Sequence, residues 1–159
     1  MCIRVPRDGN QSEKPRSRGV DDIGLKDVWQ DGPQTYLGVL IEGFPNMLMA
    51  MGPHAGLGNF PRAVEYTSDW VTRLIRFAHE RGLTRVEATA AGADAWTEHV
   101  LETSEGLLFT EVDSWMTGVN RNVEGKQVRR IMRYSGGHPK FREHCEAAAA
   151  NGYRDLALA

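Results

Sequence analysis

The sequence predicts an α/β fold, because short apolar segments bounded by glycine and proline alternate with amphipathic helical patterns. The chain has 159 residues, of which 41% are hydrophobic and 25% charged. Folding of a single domain of this size buries roughly 70% of the unfolded surface. The formal net charge of -2 excludes a polycationic nucleic-acid protein and an acidic disordered tail. The length excludes two complete nucleotide domains, each of which needs about 150 residues.

Residues 1–18 are predicted to form a disordered or unmatched arm. They contain five Lys and Arg against two acidic residues and show almost no apolar periodicity; a basic tail that binds nucleic acid is the alternative. The two cysteines, Cys2 and Cys145, lie near opposite ends of the chain, which favours a reducing compartment. Because there is neither an apolar leader nor a stretch of roughly 20 apolar residues, we expect a cytoplasmic protein.

Two apolar segments precede the first long helix. Tyr36–Ile41 has β-branched and aromatic members and is predicted to be a short strand or a buried extended segment. Met47–Met51 is apolar without alternation and lies between glycine and proline signals, which predicts a strand buried on both faces. A glycine-bearing loop then leads into a helix from Pro61 to Arg81, with Asn59 or Phe60 near its cap.

The remainder of the chain alternates helices with short extended segments. Gly82 ends the first helix, and Thr89 caps a second helix that runs to about Glu105. The other predicted elements, in order, are an edge strand within Leu83–Glu87, a long Gly/Asn-rich loop at Asp113–Gly125, a strand at Gln127–Tyr134, and a helix from Pro139 to Ala150 with Phe141 and Cys145 facing inward.

The loop after the second apolar segment contains Gly56-Leu-Gly58, which invites comparison with a dinucleotide fingerprint. The third glycine position of that fingerprint is Pro61 here. About 20 residues further on, where an acidic residue would bind the ribose, the chain has Arg76 and Phe77. These differences argue against a complete fingerprint.

The same loop still has a physical preference for certain ligands. A helix that begins near Pro61 directs unpaired amides and a partial positive charge toward the loop, which favours an anion or an electron-rich ligand edge. Ligand sites of open α/β sheets lie at strand carboxyl ends, where Gly52, Pro53 and His54 follow the predicted strand. An ordinary strand-to-helix turn is the alternative interpretation.

Common catalytic and metal-binding patterns are absent from the sequence. None of the histidines has metal-site spacing; they are His54, His79, His99, His138 and His144. His79 and His99 are expected at the surface of helices. There is no GxSxG elbow and no cysteine with a catalytic signature, so nucleophilic hydrolysis is not predicted.

Two features of the long loop point toward a ligand. Trp115 is a large aromatic residue among glycine and asparagine, so it either covers a ligand or folds back into the core. Five cationic residues lie at the end of this loop and in the segment that follows it: Arg121, Lys126, Arg129, Arg130 and Arg133. This cluster binds a phosphate or forms a solvated face.

From about Gly19 to its end, the order of motifs resembles the C-terminal part of a flavin-containing Baeyer-Villiger monooxygenase. The features that carry the resemblance occur in consistent order: Trp29, Gly32-Pro33, Thr35-Tyr36-Leu37-Gly38, Gly43-Phe44-Pro45-Asn46-Met47, Gly52-Pro53, Trp70-Val71, Gly82-Leu83-Thr84-Arg85, Trp96, Glu98-His99-Val100, Ser114-Trp115, Gly118, Asn120, Gly125-Lys126, Gly136-Gly137 and Asn151-Gly152-Tyr153. Residues 1–18 do not match.

The resemblance implies a partial FAD/NAD(P)-binding Rossmann-like domain, its strand-loop-helix elements joined by additional helices and a short β segment. Members of that family use FAD and NADPH to insert one oxygen atom beside a ketone carbonyl, giving an ester or lactone. The resemblance places a cofactor-binding loop beside the flavin, comprising Gly52, Pro53, His54, Leu57 and Asn59. It also places Trp115, Asn120 and Lys126 on a lid over NADP and substrate.

Several departures from the family pattern shape the functional hypothesis. The chain lacks the dinucleotide fingerprints for FAD and NADPH and the region that carries the catalytic arginine, so no catalytic residue is assigned. Arg121-Asn122 lengthens the lid, and His54 stands where many members have a small residue. We therefore expect residues 19–159 to be the C-terminal portion of such an enzyme, inactive alone.

The expected partners follow from this hypothesis. They are a ketone substrate once the enzyme is completed, and a complementing chain or self-association, with no nucleic acid and no membrane. The alternative hypothesis is a non-catalytic α/β interaction module derived from the same scaffold, because a buried strand without its sheet leaves unpaired edges.

Overall fold

The computed structural model describes residues 17–56, 58–123 and 126–159. Its regular elements in chain order are α1 (Leu25–Val28), α2 (Phe60–Glu80), β1 (Val86–Ala88), α3 (Ala90–Glu102), α4 (His138–Ala150) and β2 (Leu156–Leu158). Short 3-10 turns occupy Val20–Asp22, Leu108–Glu111 and Trp115–Thr117. Most of the predicted N-terminal arm lies outside the described residues. The mixture of helices and short strands confirms the predicted α/β class.

Helix α2 forms where its end signals and apolar stripe coincide. The Asn59 side chain accepts a hydrogen bond from the backbone N–H of Arg62 (3.3 Å), which satisfies one of the free amides of the first turn. Gly82, with φ +67°, ends the helix. The buried positions recur every three or four residues and are Ala63, Thr67, Trp70, Leu74 and Ala78.

The other two long helices pack around the same core as α2. The Thr89 hydroxyl accepts from Gly92 N (3.1 Å) and caps α3, which ends at Glu102, three residues before the predicted end. Helix α4 begins at His138 and buries Phe141, Cys145 and Ala148. The indole of Trp70 on α2 donates to the Cys145 carbonyl (2.8 Å), which ties α2 to α4.

The described residues contain a two-stranded antiparallel sheet. Val86 pairs with Leu158 and Ala88 with Leu156. The predicted edge strand within residues 83–87 is thus present, shifted toward the following helix, whereas its partner β2 was not predicted. The predicted Rossmann-like part is therefore represented by a loop and helix rather than by a parallel sheet of its own.

Two predicted strands before α2 are wrong in their backbone conformation. Tyr36–Ile41 is buried as expected, but it forms a turn closed by an antiparallel bridge between Tyr36 and Leu40. Leu37 (φ 53°) and Gly38 (φ 64°) reverse the chain there. Met47–Met51 is half-buried, with Ala50 exposed, because no described segment pairs with its outer edge.

The predicted strand at Gln127–Tyr134 is also wrong. This segment makes separate backbone hydrogen bonds to two irregular neighbours, Arg130 N to Thr117 O (2.8 Å) and Tyr134 N to Ala55 O (3.2 Å). A single parallel bridge links Tyr134 to Gly56. Its neighbours are turns, so no continuous ladder forms.

Among the helices that the structure describes, none has the length and apolarity needed to cross a membrane.

Candidate functional site

The glycine-bearing loop, residues 52–59, is fixed to the buried turn that precedes it. Gly52 N donates to Gly38 O (3.1 Å), and the buried Thr35 hydroxyl donates to Pro53 O (3.1 Å). Gly52 and Pro53 are themselves half-buried. The first half of the loop is therefore held by hydrogen bonds to the preceding turn.

The second half of the loop, at the start of α2, is exposed. Gly58, Asn59 and Phe60 are exposed, and their backbone N–H groups find no acceptor among the described residues. The Asn59 side chain is used within the helix, as the cap that accepts from Arg62. Leu57, which was predicted to bind cofactor, lies outside the described residues. This end of α2 offers hydrogen-bond donors and a partial positive charge to an electron-rich edge.

His54 faces the interior, in a short buried stretch of the loop that also includes Ala55 and Gly56. Its side chain is 1% exposed, and Nε2 lies 3.1 Å from the Ile131 carbonyl oxygen. Since a carbonyl only accepts, Nε2 carries the proton, and the buried Nδ1 is left without a partner among the described residues. Burial lowers the His54 pKa to about 4, so the imidazole is neutral at pH 7.

Trp115 projects from a turn that is anchored underneath. Its side chain is 71% exposed, so it does not fold back into the core. The adjacent Thr117 is fully buried; its hydroxyl accepts from Ser114 N (3.0 Å) and donates to Val112 O (2.9 Å). An anchored turn with an exposed indole can stack on a planar ligand.

Asn120 and Lys126 lie at the base of the predicted lid's outer loop. Asn120 N donates to Lys126 O (2.8 Å), and the Asn120 side chain accepts from Asn122 N (3.1 Å). Both side chains are exposed. Glu124 and Gly125, between them, lie outside the described residues.

Two of the five clustered cations are paired with the same acid. Arg121 and Arg129 both donate to the carboxylate of Asp113, at 2.6 Å and 2.7 Å. Hydrogen bonds from Arg121 and then Arg129 lower the pKa of Asp113. The two arginines therefore close the loop on itself, which leaves less charge for a phosphate.

The other arginines of the cluster also have partners within the protein. Arg130 donates to the backbone carbonyl of Gln30, and the guanidinium of Arg133 lies 4.6 Å from the Phe109 ring centroid. The side chains are thus directed to different neighbours. The structure does not gather the five cations at one phosphate site.

The backbone of Met132 joins the two predicted ligand-facing features. Its carbonyl accepts from His54 N (3.1 Å), and its N–H donates to Met116 O (3.2 Å). Met116 follows Trp115 directly. Met132 thus connects the loop at residues 52–59 with the turn that carries the exposed indole.

A pair of histidines between α3 and α4 was not predicted. The rings of His99 and His144 lie 4.9 Å apart, next to Trp96 and Tyr134. Burial and the neighbouring His99 lower the pKa of His144. His99 is half-buried rather than on the outer surface, and its placement one turn after Trp96 was the available signal. Within the described residues, no three His, Cys, Asp or Glu side chains could hold a metal ion.

Two cavities of the described structure lie apart from the predicted site. One of about 330 Å³ runs between α3 and α4 beside His99 and His144. The other, about 460 Å³, is lined by residues of the segments 20–28, 42–44 and 85–90 and by Ala157. Residues 52–59 and Trp115 line neither of them.

Comparison with known proteins gives a consistent set of relatives. No protein-family model matches the chain. It is 35% identical over 144 residues to 2-oxo-Δ3-4,5,5-trimethylcyclopentenylacetyl-CoA monooxygenase of Pseudomonas putida, covering 89% of this chain and 26% of the relative. It is 30% identical to cyclohexanone 1,2-monooxygenase of Acinetobacter (86% and 25% coverage), and 33% identical to a Baeyer-Villiger monooxygenase of Pseudooceanicola batsensis (94% and 27%). The chain thus spans about a quarter of the length of these relatives.

Solved structures agree with the sequence relatives. A closed crystal structure of cyclohexanone monooxygenase superposes with a TM-score of 0.83 at 34% identity, covering 89% of this chain and 26% of that one. A complex of the enzyme OTEMO with FAD and NADP gives a TM-score of 0.80 at 35% identity, with the same coverage. In sequence and in fold, the chain is therefore similar to a C-terminal portion of the flavin-containing Baeyer-Villiger monooxygenases.

Proposed function

We propose that this chain forms the flavin-adjacent loop and the lid of an FAD- and NADPH-dependent Baeyer-Villiger monooxygenase that converts a ketone to an ester or lactone. The observation that carries the proposal is the shared backbone, at 35% identity, with an enzyme crystallised with FAD and NADP. Bound FAD, reduced by NADPH, would supply the activated oxygen for the reaction. The residues of this chain would bind and orient the two cofactors and exclude water.

The donors of the glycine-bearing loop fit a flavin. The free amides of Gly58, Asn59 and Phe60 at the start of α2 suit the carbonyl oxygens at the edge of an isoalloxazine ring, where the helix end also favours negative charge. Gly52 and Pro53, held by the preceding turn, would set the distance between this loop and the ring.

The exposed indole fits the second cofactor. Trp115 offers an aromatic face on an anchored turn, and the exposed side chains of Asn120 and Lys126 stand on the same loop. A planar nicotinamide can stack on such a face, and a nearby ammonium favours its phosphates. Trp115, Asn120 and Lys126 would thus cover NADP and substrate.

We also propose that this chain is only part of the complete enzyme. It spans about a quarter of its relatives, lacks both dinucleotide fingerprints, and leaves Met47–Met51 with an outer edge that no described segment pairs. A complementing chain, or a second copy, would supply the missing sheet and nucleotide sites. We assign no catalytic residue to this chain.

The same unpaired edge also favours a second candidate, a non-catalytic interaction module. Both candidates predict an association, so only the cofactors separate them. A module would pair its Met47–Met51 edge with a partner strand while Gly58 and Trp115 bound neither FAD nor NADP.

A chimera tests the proposed function directly. Residues 19–159 replace the matching portion of Acinetobacter cyclohexanone monooxygenase, and flavin content, NADP+ binding and ketone-dependent oxidation of NADPH are measured. We expect about one FAD per chain and measurable oxidation, and a Trp115→Ala chimera with unchanged FAD content but weaker NADP+ binding. A folded chimera without FAD would overturn the proposal.

The isolated chain provides the complementary test. Titration of residues 1–159 with FAD, followed by flavin absorbance, should show no tight stoichiometric binding. Tight binding by the chain alone would contradict its incompleteness.

A further inference from the structure

We infer that His54 is a positioning residue that fixes the lid turn at Trp115 relative to the loop at residues 52–59, through the backbone of Ile131 and Met132. The inference rests on the proposed function for the meaning of the loop and the lid.

The first argument is that a polar ring is buried in the part of the loop that packs against the core, residues 54–56. The His54 side chain is 1% exposed, whereas Gly58 and Asn59 a few residues later are exposed. Burying an imidazole is unfavourable unless its polar atoms are paired. The hydrogen bond from Nε2 to Ile131 O (3.1 Å) offsets that cost and determines where the ring lies.

The second argument is the backbone conformation of His54. Its φ is 68°, in the left-handed region that histidine and asparagine tolerate better than most residues. This conformation turns the backbone N–H of His54 onto Met132 O (3.1 Å) and leaves its carbonyl to accept from the Trp96 indole (3.3 Å). The side chain and the main chain of His54 thus hydrogen-bond to two consecutive residues, Ile131 and Met132.

The third argument is the short connection from that pair to the lid. Arg130 N donates to Thr117 O (2.8 Å) and Met132 N donates to Met116 O (3.2 Å). These two acceptors follow Trp115 directly in the chain. Residues 130–132 are therefore hydrogen-bonded both to the loop, through His54, and to the lid turn, through Met116 and Thr117.

A small residue at position 54 would keep the backbone bonds at most, and would lose the side-chain bond to Ile131. Residues 130–132 would then have fewer hydrogen bonds to the loop, and the lid turn would move more freely relative to the loop. His54 touches neither cofactor in this account, because its side chain is buried behind the loop.

Two substitutions separate the hydrogen bond from the backbone requirement. His54→Asn retains a residue suited to positive φ but is too short to reach Ile131 O. His54→Gln carries an amide N–H near the position of Nε2 and can restore that bond. His79→Gln, at an exposed position of α2, is the matched control.

Hydrogen-deuterium exchange on the full chain without cofactors tests the positioning. In His54→Asn, we expect the amides of Arg130 and Met132 to exchange about five- to tenfold faster, as for loss of one hydrogen bond, with helices α2 to α4 unchanged. His54→Gln should recover most of the protection. Unchanged exchange in His54→Asn, or no recovery with Gln, would overturn the inference.

The wild-type chain gives a measurement that does not depend on variants. Long-range 1H–15N correlation at pH 7 should show His54 as the neutral ring with the proton on Nε2. A proton on Nδ1 would break the bond to Ile131 and refute the inference even if both variants failed to fold.

The chimera then connects positioning to cofactor binding. His54→Asn should weaken NADP+ binding about fivefold, as for loss of one hydrogen bond, while FAD content stays constant, and it should add little to Trp115→Ala because both act through the lid. Full additivity would overturn the inference. A wild-type chimera that bound no cofactor would defeat the proposed function, while the exchange measurements would still judge the positioning of the lid turn.

Discussion

The helical region (α2, α3 and α4) and the irregular region (residues 35–41 and 47–51) both contribute buried residues, but their backbones are hydrogen-bonded in different ways. Helices α2, α3 and α4 satisfy their own backbones, and Asn59 and Thr89 cap the first two. The turn at residues 35–41 is just as buried, with Val39 and Leu40 at 0% exposure, yet it contains no regular strand. Burial alone therefore does not produce regular structure here; a neighbouring strand is also required.

The segment Met47–Met51 shows what the irregular region lacks. Met49 N donates to Val39 O (2.9 Å), whereas Leu48 and Ala50 have no backbone partner among the described residues. Such an edge is the expected result when one strand of a sheet is present without its neighbour. The comparison implies that the helical region holds itself together and the irregular region depends on it.

Removing the core of the helical region should have the largest effect. Trp70 is fully buried, donates to Cys145 O (2.8 Å) and packs edge-on against Tyr153. We expect Trp70→Ala to lower the free energy of unfolding by about 3–5 kcal/mol, measured by urea denaturation. Because the irregular region depends on this core, its amides should lose protection from exchange in the same step.

An exposed position of the same helix supplies the control. Ile75 is 52% exposed, so Ile75→Ala should change the free energy of unfolding by no more than about 0.5 kcal/mol. Protection that survived in residues 35–41 after Trp70→Ala would show that the irregular region is stable by itself.

Substitution of Gly38 tests the irregular region from within. Its φ is +64°, and a Cβ there would meet the backbone of Ala55, so strain and overlap coincide. We expect Gly38→Ala to destabilise by about 2–4 kcal/mol. Gly82, with φ +67° and nothing within 4 Å of its Cβ position, is the matched control, at about 1 kcal/mol. Equal losses in thermal or urea unfolding would mean that contact with Ala55 is unimportant.

The helices were predictable from sequence because their signals are local. Asn59, Gly82 and Thr89 mark their ends within a few residues of where the structure has them. Strand β2 was missed because Leu156–Leu158 is only three residues long and its partner β1 lies far away in the chain. The turn at Leu37 and Gly38 was mistaken for a strand, since an apolar sequence does not reveal the positive φ angles that reverse it.

The candidate site could be predicted in outline from sequence. The resemblance drew attention to the loop at residues 52–59 and to Trp115, and the order of elements suggested a helix end beside the loop. The sequence could not reveal that His54 is buried or that Met132 contacts the loop, because both facts depend on contacts of His54 with residues more than 70 positions away. The pairing of His99 with His144 was also hidden, because the two residues lie on separate helices.

A smaller effect on stability is expected from the polar network that joins α2 to α4. Glu146 accepts from Arg73 (2.6 and 2.9 Å) and from the Tyr66 hydroxyl (2.7 Å). Hydrogen bonding to Arg73, opposed by burial, lowers the Glu146 pKa from 4.5 to about 2. A lowered folded pKa stabilises the protein above pH 4.5, and this contribution is lost as the pH falls toward about 2.

The side chains of this network are about half exposed, so screening limits its strength. We expect Glu146→Gln to cost no more than about 1 kcal/mol at pH 7 and almost nothing near pH 2. Glu143→Gln, at an exposed position of the same helix, is the control. Urea unfolding at both pH values measures the difference; a Glu146→Gln deficit that stayed constant with pH would refute the assignment.

The smallest effect on stability, but an informative one for the lid, is expected at Asp113. Its carboxylate joins Arg121 (2.6 Å) to Arg129 (2.7 Å) and so closes the base of the loop that carries Trp115. Because the pair is on the surface, salt screens it. Asp113→Asn should leave urea unfolding of the whole chain unchanged. It should nevertheless speed amide exchange between residues 114 and 123, and added salt should speed this exchange in the wild type but much less in the variant.

The control is Glu111→Gln, in the preceding turn, which should change neither the urea unfolding nor the amide exchange. If salt acted equally on wild type and Asp113→Asn, the ion pairs would not be what orders this loop, and the buried hydroxyl of Thr117 would be its principal anchor.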